Sequence, residues 1–307
     1  MRALLLMGPT ASGKSALALA LAERIGGEII NADSMQVYRD LRVLTARPTP
    51  AEEARVPHHL YGCVDAAERY SVGRWQADAL AAIAHARARG ATPILAGGTG
   101  LYFMALTKGL AVMPAPDPEL RAELEARASR DGASALHAEL ARHDPESAAR
   151  LSPNDTPRIV RALEIVLGAG APIGAFQADT KPALAPEEWA GLALVREPRD
   201  ALYAAIDARF DAMLAAGALD EVRALAARNL DPALPAMKAH GAPALMAYLN
   251  GALSLVEAAE IGKRDTRRYA KRQHTWIRGQ MGDWLMTGET ERAKLIETAE
   301  RLMAPDR

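Results

Sequence analysis

Eight residues near the N-terminus, Gly8-Pro9-Thr10-Ala11-Ser12-Gly13-Lys14-Ser15, have a spacing that can do chemistry. They fit G-x-x-x-x-G-K-[ST], in which glycines let successive backbone N–H groups turn inward as a nest for oxyanions. Lys14 adds a full positive charge and Ser15 a hydroxyl suited to a magnesium ion. The N-terminus of the helix that follows adds a partial positive charge. The loop marks a phosphorylated ligand; ATP is one candidate, and the motif alone does not choose it. Asp33 stands just beyond Glu28-Ile29-Ile30-Asn31, which reads as a strand. A carboxylate there could hold magnesium, cap a helix or act as a general base, and position alone leaves all three open. Gly97-Gly98-Thr99-Gly100 repeats the pattern, small residues after an apolar run with a hydroxyl at Thr99, and reads equally as a ligand approach or a structural turn. Arg158 and Arg161 share one helix face, either solvated or turned to phosphates. Arg264, Arg267, Arg268, Lys271 and Arg272 form a basic stripe with Tyr269 and Trp276 interleaved. Such a stripe suits a solvated face or a nucleic-acid backbone. His58 and His59 are adjacent but lack the ligand spacing of a metal site.

These groups need a rigid frame. Short apolar runs at 3–7, 92–96 and 191–195 read as buried strands, and Glu28-Ile29-Ile30-Asn31 as another, separated by segments long enough for crossover helices. That pattern predicts an α/β fold with a parallel sheet flanked by helices. Helices are expected at 15–25 and at 73–89, the second capped by Ser71. Residues 39–69 read as loop. Pro114, Pro116 and Pro118 mark a change of texture, and no strand signal follows until 185. The expected organisation is therefore a core of residues 1–113 and 186–307 and an all-helical insertion of residues 114–185. Within the insertion, Asp117 caps a helix to about 130, others cover 133–142 and a short turn from 145, and Pro157 opens the last long one. The most lopsided helix spans about 255–280, with Ile261, Tyr269, Trp276 and Ile277 expected on its packed face.

Composition narrows the options. Half of the 307 residues are hydrophobic and aromatics are 5%, which favours a helical protein with a sizeable core. The formal net charge of -1 carries no global nucleic-acid signature, so any RNA site rests on local patches. Cys63 is the one cysteine, which excludes an intramolecular disulfide or a cysteine-cluster zinc site and suits a reducing cytoplasm. The first apolar run is too short for a signal peptide or a membrane span, so no membrane partner is expected.

Taken in order, several segments together resemble the tRNA dimethylallyltransferase family, also called tRNA isopentenyltransferases. They are the opening loop, Asp33-Ser34-Met35-Gln36-Val37-Tyr38, Gly97-Gly98-Thr99-Gly100-Leu101-Tyr102, Pro153-Asn154-Asp155 with Arg161-Ala162-Leu163-Glu164, and Lys271-Arg272-Gln273-His274-Thr275-Trp276-Ile277-Arg278-Gly279. The resemblance implies a fold related to P-loop kinases, with a helical insertion that embraces RNA. It implies transfer of a dimethylallyl group from its diphosphate to the N6 amine of the adenosine next to a tRNA anticodon, with release of diphosphate. A leaving diphosphate needs electrostatic stabilisation, expected from the amides of residues 10–15, Lys14 and a magnesium ion on Ser15. The family pattern adds Arg209. The adenine amine is a poor nucleophile, so a carboxylate must take its proton, and Asp33 is the candidate, with Thr99 holding that carboxylate and the substrate. The family further implies tRNA contacts from Asp33, Ser34, Met35 and Gln36, from Thr99 and Arg121, and from Pro157, Arg158, Ile159, Val160 and Arg161. Arg268 and Arg272 of the basic stripe join them. One departure stands out: family members often carry Gly-Tyr-Arg-Gln where this chain has Gly241-Ala242-Pro243-Ala244, so no tRNA-binding role is carried to Ala242 or Pro243, and Lys238 and His240 are the candidates to compensate. No zinc-finger extension of the eukaryotic kind follows, which suggests the bacterial type. No protein partner is implied, and a monomer is expected.

Two other readings remain. A small-molecule P-loop kinase explains the loop and the sheet but not the basic helix. An RNA-binding module with a nucleotide switch would bind tRNA and leave its mass unchanged.

Overall fold

The structure, a computed structural model, describes residues 1–115, 117–177 and 180–304. Pro116 of the expected boundary lies outside the described residues. Two compact units divide the chain, residues 1–107 with 184–307, and residues 108–183.

The larger unit is built on a parallel sheet. Its strands are β1 (Ala3–Met7), β2 (Gly27–Asn31), β3 (His58–His59), β4 (Thr92–Gly97), β5 (Trp189–Leu194) and β6 (Leu285–Thr287), in the order β3-β2-β4-β1-β5-β6. The register sets Met7 beside Gly97 on one side and beside Ala193 on the other. The C-terminal ends of the central strands therefore finish together, and in open α/β sheets this rim carries the ligand. Every residue of β1, β2 and β4 is buried. Helices cover both faces, which is why these strands read as unbroken apolar runs rather than alternating ones. On one face Leu4, Leu6, Ile94 and Leu192 pack with Leu17 and Leu21 of the helix Lys14–Ile25, and with Leu295 and Ala299 of the C-terminal helix Arg292–Met303. Each such leucine contributes about 2 kcal/mol of burial. The helix Val72–Ala88 packs on β2 and β4, and its buried Trp75 donates Nε1–H to the Asn31 carbonyl at 2.8 Å. Ser71 caps that helix, accepting from Arg74 N at 3.1 Å.

Two strands escaped the sequence reading because each is very short. β3 has two residues inside a segment read as loop, and β6 has three, with Leu285 exposed on the sheet edge. The paired histidines of β3 serve the fold: His58 Nδ1 lies 2.9 Å from the Val56 carbonyl and His59 Nε2 lies 2.7 Å from Glu28 Oε2. Among the described residues no cluster of three His, Cys, Asp or Glu groups could hold a metal.

The smaller unit contains the helices Pro118–Asp131, Ala133–His143, Pro145–Arg150, Thr156–Ala169 and Ile173–Gln177. Asp117 caps the first, accepting from Glu119 N at 2.9 Å, and Asp144 caps the third through Ser147 N at 3.0 Å. Its core joins Leu124, Leu136, Leu140, Ile159, Val160 and Leu163. The unit opens at Lys108, six residues before the expected boundary, because Gly109 already packs on the Lys181 backbone. Among the described residues of the chain, no helix is long and apolar enough to cross a membrane.

Candidate active site

The phosphate loop leaves β1 and enters the helix Lys14–Ile25. Gly13 sits at φ 89°, left-handed backbone that glycine adopts without strain, and Ala11 at φ 61° carries the strain of the turn. Two of the expected amides are engaged: Thr10 N donates to Gln273 Oε1 at 3.0 Å and Ser12 N to the Pro9 carbonyl at 3.2 Å. The N–H groups of Ala11, Gly13, Lys14 and Ser15 have no protein partner among the described residues and remain for an anion. Lys14 is buried and folds back toward the Pro9 carbonyl at 3.4 Å. Burial pushes its pKa down to about 8; Asp33 works against that fall and Arg209 adds to it.

Asp33 caps a turn and no helix, with one carboxylate oxygen engaged. Its Oδ1 accepts Met35 N at 2.9 Å, and its own N–H is held by Asn31 Oδ1 at 2.8 Å, so it organises the turn after β2. The second carboxylate oxygen accepts no hydrogen bond among the described residues, and Asp33 lines a cavity with Thr10, Arg209, His240 and Tyr269. Met35, Leu44, Ile206, Phe210 and Met213 form the apolar wall of that cavity. Arg209 also lines a second, larger cavity with Ser15, so it faces the loop from both. Burial lowers its pKa and Asp33 opposes this. Three groups from distant parts of the sequence, Lys14, Asp33 and Arg209, thus lie within electrostatic reach of one another. Burial, reinforced by Arg272, lowers the pKa of His240, whose ring packs 4.4 Å from that of Tyr269.

Several expected interactions take a different form. Thr99 holds the loop and not the carboxylate: its Oγ1 accepts Ser34 N at 3.0 Å, with Ser34 Oγ at 3.4 Å. The Gln36 side chain is buried and its Nε2 donates to the Thr45 and Ala46 carbonyls at 2.8 and 3.0 Å, so it orders a cavity wall. The Ile159 and Val160 side chains lie in the helical core at 0% and 3% exposure, which removes them from any RNA surface. Arg161 pairs with the buried Glu164 at 2.9 Å, and Arg121 stands 3.8 Å from the same carboxylate and 3.0 Å from Glu125. A buried carboxylate requires such cations. Pro157 and Arg158 are exposed, Arg158 leaning 3.4 Å from Asp155.

The residue that the chemistry did not single out is Gln273. It is buried on the helix Leu255–Gln280, takes Thr10 N–H, and donates Nε2 to the Gly98 carbonyl at 2.8 Å. One side chain thereby joins the phosphate loop, the Gly-rich turn and the basic helix. It also settles the reading of that turn: a Cβ on Gly98 would stand 2.1 Å from Gln273 Nε2, and one on Gly100 2.0 Å from Trp276 Nε1. These glycines let the helix approach. The same helix uses Arg267 on Asp207 at 2.5 Å, Lys263 on Asp211 at 2.8 Å and Arg278 on Glu197 at 2.6 Å. Arg268, Lys271 and Arg272 stay exposed, Arg272 stacked over Tyr269 at 5.6 Å from its ring centroid. Its packed face includes Ala270, Gln273, His274 and Ile277, with Ile261, Tyr269 and Trp276 half-buried.

Comparison with known proteins agrees with this architecture. The IPP transferase family matches residues 36–280, and the Isopentenyl transferase family residues 1–61. The chain belongs to the tRNA dimethylallyltransferase family. It is 59% identical over 296 residues to a tRNA dimethylallyltransferase of Rhodopseudomonas palustris strain BisB18, covering 96% of this chain and 94% of the relative. Its fold is similar to the full-length tRNA isopentenylpyrophosphate transferase of Bacillus halodurans, with TM-score 0.69, 35% identity, and coverage of 98% of this chain and 95% of that one. It is also similar to a eukaryotic dimethylallyltransferase caught acting on tRNA, with TM-score 0.81, 28% identity, and coverage of 98% of this chain and 77% of the other.

Proposed function

We propose that this protein transfers a dimethylallyl group from dimethylallyl diphosphate to the N6 amine of the adenosine beside a tRNA anticodon. The observation that carries the reading is the meeting of Asp33 and Arg209 in a cavity with an apolar wall, within electrostatic reach of the buried Lys14. Arg209 and the nearby Lys14 suit a diphosphate, the cavity wall a five-carbon tail, and the free Asp33 oxygen a proton from an amine.

In this reading the allylic C–O bond breaks as the N–C bond forms, and the electron pair leaves with the diphosphate. Lys14, Arg209 and the free amides of the loop stabilise the charge that develops on it. Asp33 takes the proton that the amine loses, through the oxygen not engaged by Met35. Thr99 and Asn31 hold the Asp33 turn so that this oxygen stays in place. The target base has to leave its stack to enter the cavity. Ser15 fits a magnesium ion: its hydroxyl has no protein partner among the described residues and it lines the cavity shared with Arg209. Magnesium needs few protein ligands when substrate oxygens supply others, and there it would add positive charge beside the diphosphate. Arg158, Arg268 and Arg272 are the exposed cations we assign to the tRNA backbone, and Arg121 and Arg161 would reach it only from around Glu164. A cytoplasmic monomer is the expected working form, consistent with one exposed free cysteine, Cys63.

The test is incubation with magnesium, dimethylallyl diphosphate and unmodified tRNA, followed by mass spectrometry of the digested RNA. One adenosine gaining a five-carbon unit supports the reading. Unchanged RNA, or consumption of ATP in place of the prenyl diphosphate, rejects it.

A further inference from the structure

Arg196 lies just past β5, alongside the phosphate loop. β5 pairs with β1 through Ala193 and Met7, and Leu194 Cβ lies 3.2 Å from where a Cβ on Gly8 would stand. A Cβ on Gly13 would stand 3.4 Å from Arg196 Nη2, so the guanidinium rests against the turn that delivers Lys14. Its Nε is buried without a hydrogen-bond partner. The carboxylate next to it in sequence, Glu197, is turned to Arg278 at 2.6 Å. Among the described residues, no protein acceptor answers any Arg196 nitrogen. A buried donor left unanswered is unfavourable in a finished protein, whereas the planar fork of arginine matches two oxygens of a phosphate. Charge points the same way. A fully ionised prenyl diphosphate carries about three negative charges. Lys14 and Arg209 supply two positive ones, with Asp33 drawing on both.

We infer that Arg196 is a further diphosphate-binding residue, donating to the oxygens of the group held by the loop. It rests on the proposed reading of Gly8–Ser15 and adds a third cation to it, from the segment just past β5, which the motif does not include.

The test compares the full chain with Arg196→Ala, Arg196→Gln, Arg196→Lys and Lys14→Ala. Binding of inorganic diphosphate with magnesium is read by calorimetry, and binding of labelled tRNA by fluorescence anisotropy. The expected result is a loss of diphosphate affinity of about 10- to 100-fold in Arg196→Ala and Arg196→Gln, the range for a hydrogen bond to a charged group. The KM for dimethylallyl diphosphate should rise in step, Arg196→Lys should recover part of the loss, and tRNA affinity should not change. Wild-type diphosphate affinity in Arg196→Ala and Arg196→Gln, with Lys14→Ala impaired, overturns the role of Arg196 and leaves that of the loop. Wild-type affinity in Lys14→Ala as well overturns both. Equal loss of tRNA and diphosphate binding also overturns it, because that marks a structural role.

Discussion

Lys14 should take up a proton when the prenyl diphosphate binds. In the free protein its pKa is down to about 8 from an ordinary 10.5, with burial as the main cause. At about 1.36 kcal/mol per unit, the charged form is about 3 kcal/mol less favourable than in water. A diphosphate beside the amine reverses this, because an anion in a buried site favours the ammonium form. The sign follows: the bound state holds more protons than the free state between the two pKa values, so affinity falls about tenfold per pH unit above 8. At pH 9 the free amine is about 10% protonated, and binding should take up about 0.9 proton per site. At pH 7 it is already about 90% protonated, and the uptake should shrink to about 0.1. Dimethylallyl diphosphate does not blur the result, since its last ionisation lies near the value of about 6 typical of phosphate monoesters. A guanidinium such as that of Arg209 is not deprotonated in this range, and His240, lowered below its ordinary value, is neutral well before pH 9. The assay is calorimetric titration at pH 7 and pH 9 in two buffers of different ionisation enthalpy, whose difference gives the protons taken up. Lys14→Arg supplies the control, because a guanidinium keeps its charge and the uptake at pH 9 should vanish. Equal uptake at both pH values, or uptake that survives Lys14→Arg, would refute the argument that burial has disarmed this lysine.

Asp33→Asn is a cleaner test of the base than Asp33→Ala, since Asn can still accept Met35 N–H but cannot take the proton; turnover should fall about 10²- to 10⁴-fold with tRNA affinity intact. Near-normal turnover would remove Asp33 from that role. Gln273→Leu leaves Thr10 N–H and the Gly98 carbonyl without partners and should cost about 1–3 kcal/mol of stability, read by chemical denaturation, while raising the KM for dimethylallyl diphosphate; an unchanged KM would mean that the loop holds its shape alone. Arg268→Ala with Arg272→Ala should weaken tRNA binding and flatten its log–log salt dependence by roughly one unit for each phosphate no longer neutralised, and an identical slope would return that face to solvent.

The parts legible in the sequence are those whose cause is local. The loop Gly8–Ser15 declares itself through spacing, β1 and β4 through apolar runs buried on both faces, and the cap of the helix Val72–Ala88 through Ser71. Asp33 could be found at a strand end, but its division into one structural and one free oxygen depends on Met35 and on the cavity beyond. β3 and β6 are strands because neighbours lend them an edge, and two or three residues carry no pattern of their own. Gln273 was hidden for a different reason. Its partners Thr10 and Gly98 are 263 and 175 residues away, and a lone Gln among cations gives no sign of being buried.

Charge is where composition alone misleads most. The basic helix contains a run of like charges, and the sequence cannot say which of them are already matched. Arg267 and Lys263 are matched by Asp207 and Asp211 on the helix Arg199–Ala215, one turn apart on its facing side. Arg278 is matched by Glu197. Arg264 and Arg268 share Asp265, at 3.4 and 3.6 Å, and among the described residues Lys271 and Arg272 are the exposed cations of the stripe with no carboxylate partner. In the smaller unit Arg161 is likewise drawn to Glu164, with Arg121 near the same carboxylate, while Arg158 stays exposed. Arg196 is the opposite case, a single arginine with no repeat to mark it, left unmatched against the phosphate loop. A count of cations in the sequence thus overstates how many are free to meet an anion. The pairing of each charge, not its number, decides which surfaces can bind an anion, because a paired cation must give up one partner to gain another.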